Sequence, residues 1–310
     1  MSANKIIIFT HIQKAAGTTL GRLLKAKYGF WPPVNLVRLD LAMGLHHYHY
    51  QGAFPKERIL ALQKLDEDEK RKICLVQGHM GFGIHEYFPQ PCQYITAIRE
   101  PVNRVFSQYH QMRQQNWCPY KHEIRSMPIE AFIEKYPIDA LTNYQVKMLA
   151  GINRGLAGDT TPYDCSPSDP SILRKALQNI ANHYLVVVTE LFDESLLLLK
   201  KKLSWNNVQY IKSNVTIDRK RSADYGPSVI DVIRKHNELD IELYKQIVQQ
   251  MHSEIESLGD PFQHELRTFR KRNEWLNRLF RWPIDRLLKF GRKIHVSFHR
   301  RGIASATKTK

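Results

Sequence analysis

KIIIFTHIQKAAGTTLGRLLKAKYGF, residues 5–30, changes character twice. Ile6 to Phe9 run without a polar break, the pattern of a strand buried on both faces. Gln13 to Thr19 are small or polar, and Leu20, Leu23 and Leu24 then recur at helical spacing. The stretch therefore predicts strand, small-residue loop, helix. Such a loop presents backbone N–H groups at a helix N-terminus, where the helix dipole also favours an anion. Lys14 adds a positive charge, and Thr18 and Thr19 add hydroxyl donors. By composition this is a phosphate cradle, although a βα turn with an incidental lysine has the same letters. It is not the nucleotide P-loop G-x-x-x-x-G-K-[ST], because Lys14 precedes Gly17 by three residues and no glycine opens the loop.

Further strand-and-helix units follow. Ile73 to Val76 form a second apolar run, which stops at Gln77-Gly78-His79. A polar residue there stands at the C-terminal end of a parallel strand, where α/β sheets bind ligands. Tyr94 to Ile98 predict a third strand, ended by Arg99-Glu100, with Pro101 suited to the first turn of the next helix. Arg99 and Ser107, two turns into that helix, would suit a second phosphate, or Arg99 would pair with a nearby carboxylate. YLVVVTELF (184–192) predicts a fourth buried strand, followed by a helix capped by Asp193 or Ser195. A short strand is expected at the start of 208–226, and one or two helices over 228–259. Residues 55–72 predict an amphipathic helix, and 128–152 are expected to be helical. The alternation gives an α/β class with a mainly parallel sheet.

At 310 residues the chain can bury one large core, or one core with an appendage. The formal charge of +16 is concentrated at one end: residues 261–310 hold 14 Lys/Arg against 3 Asp/Glu. Four scattered cysteines, Cys74, Cys92, Cys118 and Cys165, have no C-x-x-C spacing, which argues against a zinc site or disulfide framework. His46, His47 and His49 cluster in GLHHYHYQG (44–52), without the Asp, Glu or Cys that a metal site would need. No metal is expected. No apolar run is long enough to span a membrane.

Five stretches in this order resemble the 3′-phosphoadenylyl sulfate (PAPS)-dependent sulfotransferases. The likeness is to the carbohydrate group that includes the heparan sulfate 6-O- and 2-O-sulfotransferases and their bacterial relatives. HIQKAAGTTL resembles the 5′-phosphosulfate loop and TAIREPVNRVFSQYH the 3′-phosphate motif. QGHMGFGIHEYFP resembles the segment with the catalytic histidine, and VVVTELFDESLLLLKKKLSW and HNELDIELYKQI later core segments. The resemblance runs from about residue 5 to 255. It implies a P-loop-NTPase-like sheet flanked by helices, with residues 1–260 as the sulfotransferase domain and 261–310 as a basic helical extension.

It also implies in-line sulfuryl transfer to a hydroxyl of a carbohydrate or glycolipid, with adenosine 3′,5′-bisphosphate as product. On the matching positions, Lys14 would neutralise charge on the 5′ side, and Ala16, Gly17, Thr18, Thr19 and Leu20 would surround it. Arg99 and Ser107 would hold the 3′-phosphate, and His79 would be the general base, with His85 a rival. Lys212 and Arg219 fall in a loop that resembles one closing over the nucleotide or acceptor. Loops 31–52, 80–90 and 113–165 would build the acceptor site. The competing classes are a P-loop-like nucleotide kinase and a non-catalytic membrane-bound binding module.

Residues 262–298 mix Arg and Lys with Trp275, Leu279, Phe280, Trp282 and Leu287. This is the composition of a helix lying in an anionic membrane interface. A helix packed on the core is the alternative, and nucleic acid is not expected. Animal relatives of the group carry a Golgi signal anchor, which these residues lack. The expectation is a bacterial cytoplasmic form, peripheral on the inner membrane face.

Overall fold

The computed structural model describes residues 5–28, 36–38, 64–115, 118, 120–136, 138–152, 169–212 and 224–280. The histidine cluster at 46–49, Cys165, Arg219 and residues 281–310 lie outside the described residues, as does most of each acceptor loop between 31–52 and 153–165.

Five parallel strands form the sheet: β1 (Ile6–Thr10), β2 (Leu36–Arg38), β3 (Leu75–Gly78), β4 (Cys92–Ile98) and β5 (Tyr184–Val188), in the order β2-β3-β1-β4-β5. β1 is central and every residue in it is buried. Each of its large apolar side chains contributes about 1.5–3 kcal/mol by leaving water. This is why the unbroken run Ile6–Phe9 marks the middle of the sheet. β2 was not foreseen, since three residues give too short a pattern to distinguish from a loop.

Helices cover the sheet. α1 (Gly17–Tyr28) follows β1, and the short α2 (Glu67–Arg71) precedes β3 with a capping box between Asp66 and Glu69. α3 (Pro101–Gln114), α4 (Glu123–Ser126), α5 (Ile129–Lys135) and α6 (Tyr144–Ala150) separate β4 from α7 (Pro170–His183). After β5 come α8 (Phe192–Lys202), α9 (Pro227–Lys235), α10 (Glu238–Ser257) and, ending the described residues, α11 over 259–280. The main core lies around the sheet; a second apolar cluster joins Val105, Phe106, Phe132, Ile133 and Ile233 between α3, α5 and α9.

Three local expectations change. Residues 208–212 form no strand, because the Tyr210 N–H donates to Asn273 and its carbonyl accepts from Asn277 of α11. The apolar run after residue 183 leaves the sheet at Val188 and continues as a 3-10 turn, Thr189–Leu191. Neither Asp193 nor Ser195 caps α8: the Ser195 hydroxyl bonds to Val188 N and Leu191 O, and Asp193 accepts from the Tyr210 hydroxyl.

The basic end of the chain is docked up to residue 280. Phe262, Leu266 and Phe269 of α11 join the main core, Lys200 pairs with Glu265, and Arg270 reaches Glu194 at 2.7 Å. On the opposite face Trp275 is 60% exposed and Leu279 48%.

Candidate functional site

β1 and β4 are neighbours whose chains leave in opposite directions, β1 toward β2 and β4 toward β5. In parallel α/β sheets such a pair opens a crevice beyond its C-terminal ends, where ligands bind. The loop after β1 and Arg99 after β4 meet there.

The loop is wound tightly. Lys14 (φ 67°) and Ala16 (φ 56°) both occupy the left-handed region. For residues with a Cβ this costs about 1–2 kcal/mol each, and such strain collects where function needs a fixed backbone. Gly17 is not one of the left-handed positions. It is needed for space, since a Cβ there would lie 1.9 Å from the His11 ring. The N–H groups of Thr19 and Leu20 donate to Ala16 O at 3.1 and 3.3 Å, which closes the first turn of α1. The positive end of that helix, with half-buried Thr18 and Thr19, opens at the C-terminal edge of β1.

Arg99 joins the two halves of the crevice. Its Nη1 donates to the Lys14 carbonyl at 3.2 Å, and its Nε lies 3.9 Å from Glu190. Burial lowers the Arg99 pKa, and Glu190 and Glu100 oppose that shift; a guanidinium keeps its charge throughout the working pH range. Glu100 also caps α3, accepting from Val102 N and Asn103 N. Ser107 is fully buried in the second turn of α3, and among the described residues neither its Oγ nor Arg99 Nε has a hydrogen-bond partner. A buried polar atom left without a partner costs about 1–3 kcal/mol. Donors orphaned in this way fit an anion, so the residues present suit a phosphate.

His79 stands one residue past β3, beside His11 past β1, with the two imidazoles 4.4 Å apart. Nδ1 of His79 lies 2.7 Å from the His11 carbonyl oxygen. A carbonyl can only accept, so Nδ1 carries a proton, and in the neutral ring Nε2 is the basic nitrogen. His85 is held elsewhere: its backbone N–H and Nδ1 both meet the Tyr94 hydroxyl at 2.9 Å, and its ring stacks on His183. The backbone N–H of Lys212 is anchored on Asn277 of α11 at 2.7 Å. Among the described residues no three His, Cys, Asp or Glu side chains converge as a metal site.

Beneath Arg99 lies a polar network that local patterns did not disclose. Gln145 accepts from Arg99 N at 2.8 Å and donates to Arg99 O at 2.9 Å. The next layer is a reciprocal pair of caps. The Asp240 carboxylate accepts from Gln145 N and Val146 N in the first turn of α6. The Asn143 side chain accepts from Leu239 N and Asp240 N in the first turn of α10. Arg104, fully buried, lies 4.0 Å from Asp240 and donates to Ala140 O at 3.0 Å. Asn143 could be read as a helix-start residue, but its use across 96 positions has no local signal.

The family model described as galactose-3-O-sulfotransferase matches residues 2–285. A Bos taurus galactose-3-O-sulfotransferase 3 is 25% identical over 287 residues, 88% of this chain and 63% of that protein. The Homo sapiens galactose-3-O-sulfotransferase 3 is 26% identical over 251 residues, covering 77% of this chain and 54% of its own. A Mus musculus galactosylceramide sulfotransferase is 24% identical over 286 residues, 88% and 63% of the two chains. The chain thus spans 54% to 63% of the length of these relatives. The matched region includes all of α11 as described, beyond the stretch where the sequence resemblance ended.

Proposed function

Because this chain belongs to the galactose-3-O-sulfotransferase family, we propose that it transfers a sulfuryl group from PAPS to a hydroxyl of a galactose-bearing glycan or glycolipid. The observation that carries the reading is His79, whose proton is fixed on Nδ1 by the His11 carbonyl beside the phosphate loop. Nε2 takes the proton of the acceptor hydroxyl as that oxygen bonds to sulfur. The bond between sulfur and the bridging 5′-phosphate oxygen breaks, and adenosine 3′,5′-bisphosphate leaves. PAPS supplies the activated sulfuryl group. Lys14 and the N-terminus of α1 stabilise the charge growing on the 5′ side, a fixed electrostatic environment that needs no rearrangement during reaction. Arg99 and Ser107 hold the 3′-phosphate, the group that separates this donor from ATP.

Adenosine 3′,5′-bisphosphate should raise the melting temperature, with ATP at the same concentration raising it much less. A ligand at about 100 times its Kd stabilises the native state by about 2.7 kcal/mol. Equal shifts with both nucleotides would instead favour the nucleotide-kinase class.

A second reading concerns α11. Its outward face carries Trp275 and Leu279 with exposed Arg267, Lys271, Arg272 and Arg278. We infer that this face rests on an anionic lipid surface, the indole and leucine entering the interface and the cations meeting headgroups. The inner face belongs to the core, so a deletion from residue 262 would damage the fold as well as the surface. The Trp275→Ala, Leu279→Ala double variant should bind phosphatidylglycerol vesicles several-fold more weakly and retain its melting temperature. Binding equal to the parent protein's would remove the membrane surface from the account.

A further inference from the structure

Arg99 is the first residue beyond β4. The ladder ends beside it, since Thr10 of β1 pairs with Thr96 and Val188 of β5 pairs with Ile98. No strand remains to hold the Arg99 backbone. The Gln145 side chain takes over that work, with its oxygen on Arg99 N and its nitrogen on Arg99 O. A primary amide matches a peptide edge in this way because it offers one acceptor and a donor side by side. Gln145 is fully buried, so both bonds form without competition from water.

From that fixed backbone the guanidinium reaches Lys14 O at 3.2 Å. Displacement of residue 99 would therefore shift the cation and release the left-handed turn at Lys14 from one of its braces. Gln145 is itself held at the start of α6 by Asp240. No other side chain in the described set bonds both the N–H and the carbonyl of Arg99.

We propose that Gln145 is a positioning residue that sets selectivity for the 3′-phosphate, acting through Arg99 without touching the nucleotide. This rests on the reading of Arg99 as the 3′-phosphate ligand. A charge-assisted bond to phosphate depends on direction as well as distance, and a shift of about 1 Å is enough to lose most of it. The effect should be confined to nucleotides that carry the 3′-phosphate.

The test compares Kd values for adenosine 3′,5′-bisphosphate and adenosine 5′-monophosphate, measured by titration calorimetry on the full chain. The variants are Gln145→Met, which keeps length and loses both bonds, Gln145→Glu, which keeps the acceptor on Arg99 N and loses the donor, and Arg99→Ala. Gln145→Met should weaken bisphosphate binding about tenfold and change monophosphate binding less than about twofold. Gln145→Glu should fall between Gln145→Met and the parent. An unchanged ratio of the two Kd values in both Gln145 variants, with the ratio lost in Arg99→Ala, would overturn the inference alone. Equal weakening of both nucleotides would also overturn it, by making Gln145 a general support of the fold. If Arg99→Ala keeps the parent ratio, the assignment of the 3′-phosphate to Arg99 fails, and the inference fails with it. Should Gln145→Met not fold, Gln145→Glu decides by the same ratio.

Discussion

His79→Ala is expected to lower the rate of sulfuryl transfer to a galactoside acceptor by about 10²–10⁴-fold, the usual contribution of a placed general base. Adenosine 3′,5′-bisphosphate should bind within about threefold of its parent affinity, because the lost interaction belongs to the transition state and to the acceptor proton. The separation follows from the geometry. His79 is set by the loop's backbone through the His11 carbonyl, whereas the proposed anion donors are Lys14, the first turn of α1, Arg99 and Ser107. The measurement is single-turnover transfer of labelled sulfate beside calorimetric binding. His85→Ala is the control, since its imidazole is engaged by Tyr94 and stacked on His183. A His79→Ala protein that transfers at the parent rate would remove the base assignment.

Asp240→Ala is expected to destabilise the protein by about 3 kcal/mol or more in urea denaturation. Burial pushes the Asp240 carboxyl above the usual carboxylate range, against the pull of Arg104 and the N–H groups of Val146 and Gln145. The ion pair is therefore not a simple gain. The cost of removal comes from what stays behind: two buried N–H groups at the start of α6 lose their acceptor, and the buried Arg104 guanidinium loses its counter-charge 4.0 Å away. Asp240→Asn should cost less, because its one amide oxygen keeps one of the two N–H bonds, while the buried Arg104 guanidinium still loses its counter-charge. If the two substitutions destabilise equally, the ionised carboxylate matters more than its cap. If neither exceeds about 1 kcal/mol, the range of an ordinary hydrogen bond, the reciprocal cap is not a main support.

The central sheet could be read from the sequence because its strands are buried on both faces. Ile6–Phe9 and Ile73–Val76 are apolar without interruption and Tyr94–Ile98 is broken only by Thr96, as a sheet sandwiched between helices demands. The strand, loop and helix of residues 5–28 could be read because small and polar residues are crowded between an apolar run and a helical pattern. The loop's geometry could not. The left-handed residues are Lys14 and Ala16, and Gly17 is required by the His11 ring, a packing fact that no local pattern carries. The same holds for Gln145, a residue of ordinary helical sequence whose side chain serves a backbone 46 positions earlier. Residues 208–212 misled in the other direction. A short strand is expected there, but Asn273 and Asn277 of a distant helix take the backbone groups that a strand neighbour would have used.

The reciprocal caps also impose an order in time. Asn143 and Asp240 lie 97 residues apart in sequence, and each completes the first turn of the other's helix. A ribosome adding about 5–20 residues per second releases β1, its loop and β4 many seconds before Asp240 emerges. Until then α6 lacks its cap, and the Gln145 that holds Arg99 has no firm base. The nascent chain can form the sheet's centre early, yet the support of Arg99 matures only when the last third of the chain arrives. Completeness of the polypeptide is thus written into the same bonds that aim the arginine.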